Sequence, residues 1–261
     1  MILQAVGLHA SHPARYATVV ALRGVGLTIG RGESVAVVGR SGCGKTTLAR
    51  LLAGLVPPGA TVSGTLRWPG GEAPVARARR AGLGRHVAWL PQEAGAALHP
   101  QISIGAQVAE TLRAAGAVGD AVAVAACLAD VGLDAGLARR YPHQLSGGQA
   151  QRATLACALA QAPAVLVADE PTSSLDPESG ALVLRLLAAR SQARGMALVL
   201  VTHDLAAAAR CERIVVLDAG RVVEEGPARS VSDAPRSAAA RDLLAAQQAF
   251  GGMAGCCAAA A

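Results

Sequence analysis

The chain of 261 residues predicts an α/β core with an α-helical lobe inserted into it. Three observations carry that prediction. Short apolar runs (Ser34–Val38, Val165–Ala168, Met196–Val201) recur as buried strands beside helix-forming stretches. A glycine-rich turn joins the first of these runs to its helix. From about residue 93 to 145 strand patterns disappear, and helical spacing takes over in Gly105–Ala115 and Ala121–Val131.

In chain order, residues 2–8 and 24–29 read as short strands around a loop that contains Tyr16. Gly30-Arg-Gly32 turns into the strand Ser34–Val38, and Leu48–Gly54 follows as helix. Val56-Pro-Pro-Gly59 stops that helix before a hairpin through Gly64–Trp68, and Ala73–Arg85 is expected as loop or frayed helix. His86–Pro91 is a second buried strand with Gln92 just beyond it. After the lobe, a helix follows Ser146-Gly147-Gly148, then strand Val165–Asp169, a helix from Pro177 to about Ala193 stopped by Gly195, and strand Met196–Val201. A short helix, strands Arg213–Leu217 and Arg221–Glu225, and a tail helix over roughly 236–250 complete the chain.

Apolar residues make up 52% of the chain but aromatics only 2%, so the core must be built from Ala, Val and Leu. No run of 18 or more apolar residues exists, and the start lacks the basic flank of a signal peptide. A soluble, cytoplasmic protein that reaches a membrane only through a partner is expected. The net charge of +6 is spread over scattered arginines without interleaved aromatics, which does not suggest nucleic-acid binding. The six cysteines show no paired spacing and read as reduced and structural, with Cys256-Cys257 in a Gly/Ala tail expected to be disordered.

The chemistry concentrates in Gly39-Arg-Ser-Gly-Cys-Gly-Lys-Thr-Thr47, the pattern G-x-x-x-x-G-K-[ST] between a buried strand and a helix. Gly39, Gly42 and Gly44 are expected to take backbone angles closed to other residues, so that the N–H groups of Ser41, Cys43 and their neighbours curl around a phosphate. The helix starting near Lys45 turns its positive end to the same anion. Lys45 would reach the β- and γ-phosphates, and the Thr46 hydroxyl, next to Thr47, would ligate Mg²⁺. Asp169, at a strand's C-terminal end, suits Mg²⁺ directly or through water, and Gln92 can reach the ion with its carboxamide. Glu170 suits polarising an attacking water. His203 lies at the same sheet edge, where ligands bind in open α/β folds. Ser146-Gly147-Gly148 at a helix N-cap offers a second anion site. The ring of Tyr16 can stack on a purine base.

Taken together, these residues resemble the ATP-binding subunit of an ABC transporter. Over about residues 2–245 the family's elements stand in family order: aromatic Tyr16, Walker A 39–47, Gln92, the signature Leu145-Ser-Gly-Gly-Gln149, Walker B 165–170, and Ser174-Leu-Asp176 with His203. The resemblance implies a P-loop NTPase (RecA-like) core with an antiparallel β subdomain over 1–92 and 149–235, a helical subdomain over 93–148, and a tail over 236–261. It implies ATP and Mg²⁺ as ligands and a head-to-tail pair of ATPase subunits, the same or a paralogous chain. Ser146, Gly147, Gly148 and Gln149 would then bind the γ-phosphate of the partner's nucleotide, His203 would hold its own, and Asp176 would couple the two sites. Two integral-membrane permeases and, indirectly, an extracytoplasmic binding protein are the implied partners, with the chain peripheral at the cytoplasmic face of the inner membrane.

A narrower likeness is to the peptide/nickel importer branch, through Leu55-Val-Pro-Pro-Gly59 and Gln92-Glu-Ala-Gly-Ala-Ala-Leu-His-Pro100. His99 stands where that branch usually has Asn, and the tail lacks the branch's His-Pro-Tyr core. The longer cysteine-bearing extension of many peptide importers is not read either, and shorter nickel or metallophore subunits are expected on that ground. The same cassette also serves exporters, lipid-extraction complexes and soluble ATPases on nucleic acid or ribosomes. That last class usually carries two cassettes, a coiled coil or a zinc insertion, and none is read here.

Overall fold

The computed structural model describes residues 1–14 and 17–257; Arg15, Tyr16, residues 258–261 and the side chains of Ala94 and 248–257 lie outside it. The base-stacking role expected of Tyr16 therefore falls outside the described residues.

The chain begins with a long ribbon, β1 (Leu3–Pro13) and β2 (Thr18–Ile29), and continues into β3 (Ser34–Val38) and α1 (Lys45–Leu52). A hairpin, β4 (Thr61–Trp68) and β5 (Gly71–Pro74), is followed by one turn of helix, α2 (Val75–Ala78), and by β6 (Val87–Leu90). The lobe then holds α3 (Ala94–Ala97), α4 (Ile104–Ala114), α5 (Ala121–Ala129) and the start of α6 (Gly147–Ala160). Next come β7 (Val165–Asp169), α7 (Pro177–Arg194), β8 (Ala197–Val201) and α8 (Leu205–Ala208). The chain closes with β9 (Arg213–Asp218), β10 (Arg221–Pro227), α9 (Ala228–Asp233) and α10 (Ala238–Cys257).

Two sheets result. The larger has the order β10-β9-β3-β8-β7-β6, parallel except for the edge strand β10. Its inner strands read as unbroken apolar runs because both faces are covered. Val35 and Val37 of β3 face one core cluster with α1 and the small sheet, while Ala36 and Val38 face the other with the helical lobe. The small sheet, β2-β1-β4-β5, is antiparallel.

Three segments differ from expectation. β1 and β2 continue well past residues 8 and 24, because Gly7 (φ 59°) and Gly24 (φ 81°) mark register shifts rather than strand ends. A bulge absorbs a residue and lets pairing resume. Within 73–85, Ala73 and Pro74 pair with β4, and Val75 and Ala78 are buried as helix. The tail is helical from Ala238 through Cys257, where a disordered end was expected.

Arg213 ties the two sheets. Its guanidinium bonds Glu33 Oε1 (2.7 Å), Glu225 Oε1 and the Thr28 carbonyl of β2 (2.6 Å). Burial opposes the charge of Glu33, yet hydrogen bonds from Arg213 and the Gly30 N–H win, holding its pKa below the usual carboxylate range.

Candidate functional site

The loop between β3 and α1 crosses the C-terminal edge of the large sheet, and two of its glycines need the left-handed region: Gly42 (φ 79°) and Gly44 (φ 107°). Gly39 is required for a different reason than expected. It is not among the positive-φ residues, but a Cβ there would stand 2.2 Å from the Leu217 carbonyl oxygen and 2.6 Å from Cys43 Sγ. Helix α1 has Gly44 at its N-cap and no side-chain cap, so its first N–H groups remain available to an anion. Lys45, 6% exposed, donates from Nζ to the carbonyls of Gly39 (2.8 Å) and Arg40 (3.1 Å).

β7 brings the carboxylates. Asp169 is 1% exposed; Oδ1 accepts from the Thr46 hydroxyl at 3.3 Å, and Oδ2 is buried with no partner. Burial pushes its pKa up, the Thr46 bond opposes this, and nearby Glu170 adds to the rise. A buried carboxylate oxygen without a donor is a costly arrangement unless a cation or water completes it. Glu170 leaves the strand in a left-handed conformation (φ 44°), which costs roughly 1–2 kcal/mol for a residue with a Cβ. Its N–H donates to the Val201 carbonyl at 2.8 Å, keeping it beside β8. Glu170 Oε2 lies 3.1 Å from His203 Nδ1, and Oε1 lies 3.9 Å from Lys45 Nζ.

Lys45, Glu170 and His203 share a cleft of about 470 Å³, walled by Ser41, Gly42, Gly44 and Lys45–Thr47 on one side and by Gln92, Glu170 and His203 on the other. Ala21 of β2 closes the cleft, a contribution that sequence reasoning missed. Its carbonyl sits where a Cβ on Gly44 or Gly220 would clash, at 2.3 and 2.6 Å. Gln92 and Thr46 also line a second cavity of about 370 Å³ with Arg50, Trp89 and Asp169. The Arg50 guanidinium lies 5.6 Å from the Trp89 ring centre. Among the described residues no three His, Cys, Asp or Glu side chains form a metal cluster, so any cation here would take ligands from a phosphate as well. Cys43 is buried in the loop, and burial raises its thiol pKa above the usual value.

The signature segment is elsewhere. Ser146 caps α6, accepting from the Gln149 N–H at 3.3 Å, while Gln149 Oε1 accepts from the Ser146 N–H at 3.0 Å. Gly147 packs openly toward Leu175, and a Cβ on Gly148 would stand 3.0 Å from Ser179 Oγ. Asp176 caps α7, accepting from the N–H groups of Glu178 (3.1 Å) and Ser179 (2.9 Å), and the Ser179 N–H chiefly lowers its pKa. None of Ser146, Gly147, Gly148, Gln149 or Asp176 lines the cleft. The expected site residues thus fall into one assembled group and one exposed group.

The family model described as ABC transporter matches residues 22–173. The nickel import ATP-binding protein NikE of Pseudomonas putida is 42% identical over 211 residues, covering 79% of this chain and 76% of that protein. A peptide import ATP-binding protein of Brucella abortus is 39% identical over 227 residues, covering 84% of this chain and 67% of its own length. Among solved structures, the dimeric ATP-binding cassette MJ0796 in a post-hydrolysis state, bound to ADP and Pi, superposes with TM-score 0.77 at 28% identity. That match covers 87% of this chain and 99% of the other. No helix among the described residues is long and apolar enough to cross a membrane.

Proposed function

The chain belongs to the ABC transporter family as an ATP-binding cassette, and from that premise we propose that it powers the import of nickel, a metallophore or small peptides through partner permeases. It is an ATPase subunit of the importer type. Nickel and peptides as cargo follow the names of relatives that are about 40% identical over most of the chain. We read the division of labour as a nucleotide-binding core over 1–92 and 149–235, a helical lobe over 93–148 and a tail beyond. The chain would sit peripherally at the inner membrane's cytoplasmic face.

One observation supports the catalytic reading above the others. A lysine, two carboxylates and a histidine from three separate segments converge around one loop able to hold a phosphate chain. Lys45 donates hydrogen bonds to the Gly39 and Arg40 carbonyls, and on ATP binding it would donate instead to the β- and γ-phosphate oxygens. Glu170 would orient the attacking water and take its proton. His203, 3.1 Å from Glu170, would hold that carboxylate in place and donate to the γ-phosphate.

The residues fit Mg²⁺: the unpartnered Asp169 Oδ2 and the Thr46 hydroxyl lie together, with Gln92 on the same wall. Thr46, Asp169 and Gln92 would hold the ion, which supplies neutralising charge to the phosphates when bound. The second group, Ser146–Gln149 with Asp176, has helix-terminal N–H donors and no catalytic partner of its own. We infer that it acts on ATP held by a facing subunit, arranged head to tail.

Replacing Glu170 with Gln tests the base assignment. ATP should bind with unchanged affinity while steady-state turnover falls about 10²–10⁴-fold, as for other lost general bases. Turnover within a few-fold of the unmutated protein would remove Glu170 from that role.

A further inference from the structure

The helical lobe is fastened to the core by arginines at one corner. Helix α5 ends at Asp130, and the turn Asp130-Val131-Gly132-Leu133 receives three guanidinium groups. Arg190 Nε donates to the Asp130 carbonyl at 2.8 Å, and its Nη1 lies 3.3 Å from Asp130 Oδ1. Arg194 Nη2 donates to Asp130 Oδ2 at 2.6 Å, while its Nη1 donates to the Leu159 carbonyl of α6 at 2.9 Å. Arg152 of α6 reaches the Gly132 carbonyl at 2.7 Å and the Gly148 carbonyl at 3.2 Å.

Asp130 is electrostatically misplaced for its own helix. It stands at the C-cap of α5, where the helix dipole disfavours an anion. Among the described residues its charge is paired by α7, whose Arg190 and Arg194 share one face. The end of α7 that carries those arginines is tied to the turn before β8. Between them Ser191 Oγ donates to the Met196 carbonyl at 2.6 Å, and Gly195 (φ 58°) turns the chain directly into β8. Charge-assisted forks of this length fix direction as well as distance.

The leverage is large. Arg194, which grips Asp130, also holds Leu159; from Leu159 back to Gly147, α6 runs about 18 Å at 1.5 Å per residue, so a tilt of about 10° about Leu159 moves the signature end by about 3 Å. A misplacement of about 1 Å at a reacting centre can cost 10²-fold in rate. At the far end the backbone of α6 passes close to the core, where a Cβ on Gly147 would stand 3.9 Å from Leu175 and one on Gly148 would stand 3.0 Å from Ser179 Oγ.

We propose that Asp130, gripped by Arg190 and Arg194, is a positioning residue that sets the angle at which the lobe presents Ser146–Gln149 to nucleotide held by another subunit. This rests on the reading that the signature segment acts across an interface.

The test compares Asp130→Ala and Asp130→Glu in the full chain. ATP affinity, thermal midpoint and steady-state kcat are measured for each, with Ser146→Arg as reference. Asp130→Ala should lower kcat about tenfold with ATP affinity changed by less than about twofold, and Asp130→Glu should restore at least about half of the loss. Should Asp130→Ala fail to fold, Arg194→Lys, which keeps the charge but loses the fork, should give the same split between kcat and affinity. If Ser146→Arg abolishes turnover while Asp130→Ala and Arg194→Lys keep full kcat, the latch is wrong and the interface reading stands. Loss of ATP affinity alongside kcat would also overturn the latch. If Ser146→Arg itself keeps turnover, the interface reading falls and the latch with it.

Discussion

Two helix N-termini in this chain offer N–H groups to an anion, and their surroundings differ. At α1 the N-cap is a glycine with no side-chain cap, and Lys45, Asp169, Glu170 and His203 stand around it. At α6 the N-cap is a serine locked with Gln149 in a reciprocal cap, exposed, with no lysine or catalytic carboxylate lining it. The first has everything needed to grip and activate a triphosphate except a lid over its outer face. The second has only donors. An anion site with no counter-charge contributes little by itself, which is why we propose that the α6 terminus would complete a site held by a facing subunit.

The sharpest way to break this contrast is to add the same methyl group to both loops. Gly39→Ala would force a Cβ to 2.2 Å from the Leu217 carbonyl. It should destabilise the fold by about 1–3 kcal/mol, as overpacking does, and abolish ATP binding. Gly147→Ala meets nothing nearer than Leu175 at 3.9 Å, so its thermal midpoint and ATP affinity should stay close to those of the unmutated chain. Any loss of turnover in Gly147→Ala then reports a phosphate approaching from outside. Equal destabilisation in the two variants would undo the contrast.

A second comparison concerns charge. Asp169→Asn removes a buried anion with an unpartnered oxygen, so the nucleotide-free protein should melt no lower than the original. Turnover in Mg²⁺ should nevertheless drop by about 10²-fold or more, since several kcal/mol of transition-state charge stabilisation depends on the ion. A lower midpoint with intact turnover would make Asp169 structural. The smallest effect belongs to the cap. Gln149→Ala removes one half of the capping box and should cost about 0.5–1 kcal/mol, read as a small shift in thermal midpoint, with ATP affinity unchanged.

Much of the assembled site was readable because its signals are local. A strand, a glycine loop and Lys45-Thr46-Thr47 are contiguous, and Val165–Glu170 carries its own boundary. The reason for Gly39 was not readable, since the atom that forbids a Cβ there belongs to Leu217 in β9. Ala21 escaped because it contributes a backbone carbonyl, which leaves no side-chain signature. The ribbon β1–β2 was cut short because Gly7 and Gly24 look like strand ends until the register shows bulges. Arg213 and the Asp130 latch join residues 180 and 60 positions apart, beyond any local pattern.

The account's central claim is that one phosphate chain is gripped by two polypeptides, and Ser146→Arg tests it most directly. The isolated variant's ATP affinity should lie within about twofold of the original, because Ser146 lies outside its own cleft. Steady-state hydrolysis should be lost, because a bulky cation would occupy the place of the donors offered to the facing subunit. Retained hydrolysis, or ATP affinity lost in the isolated chain, would contradict the claim.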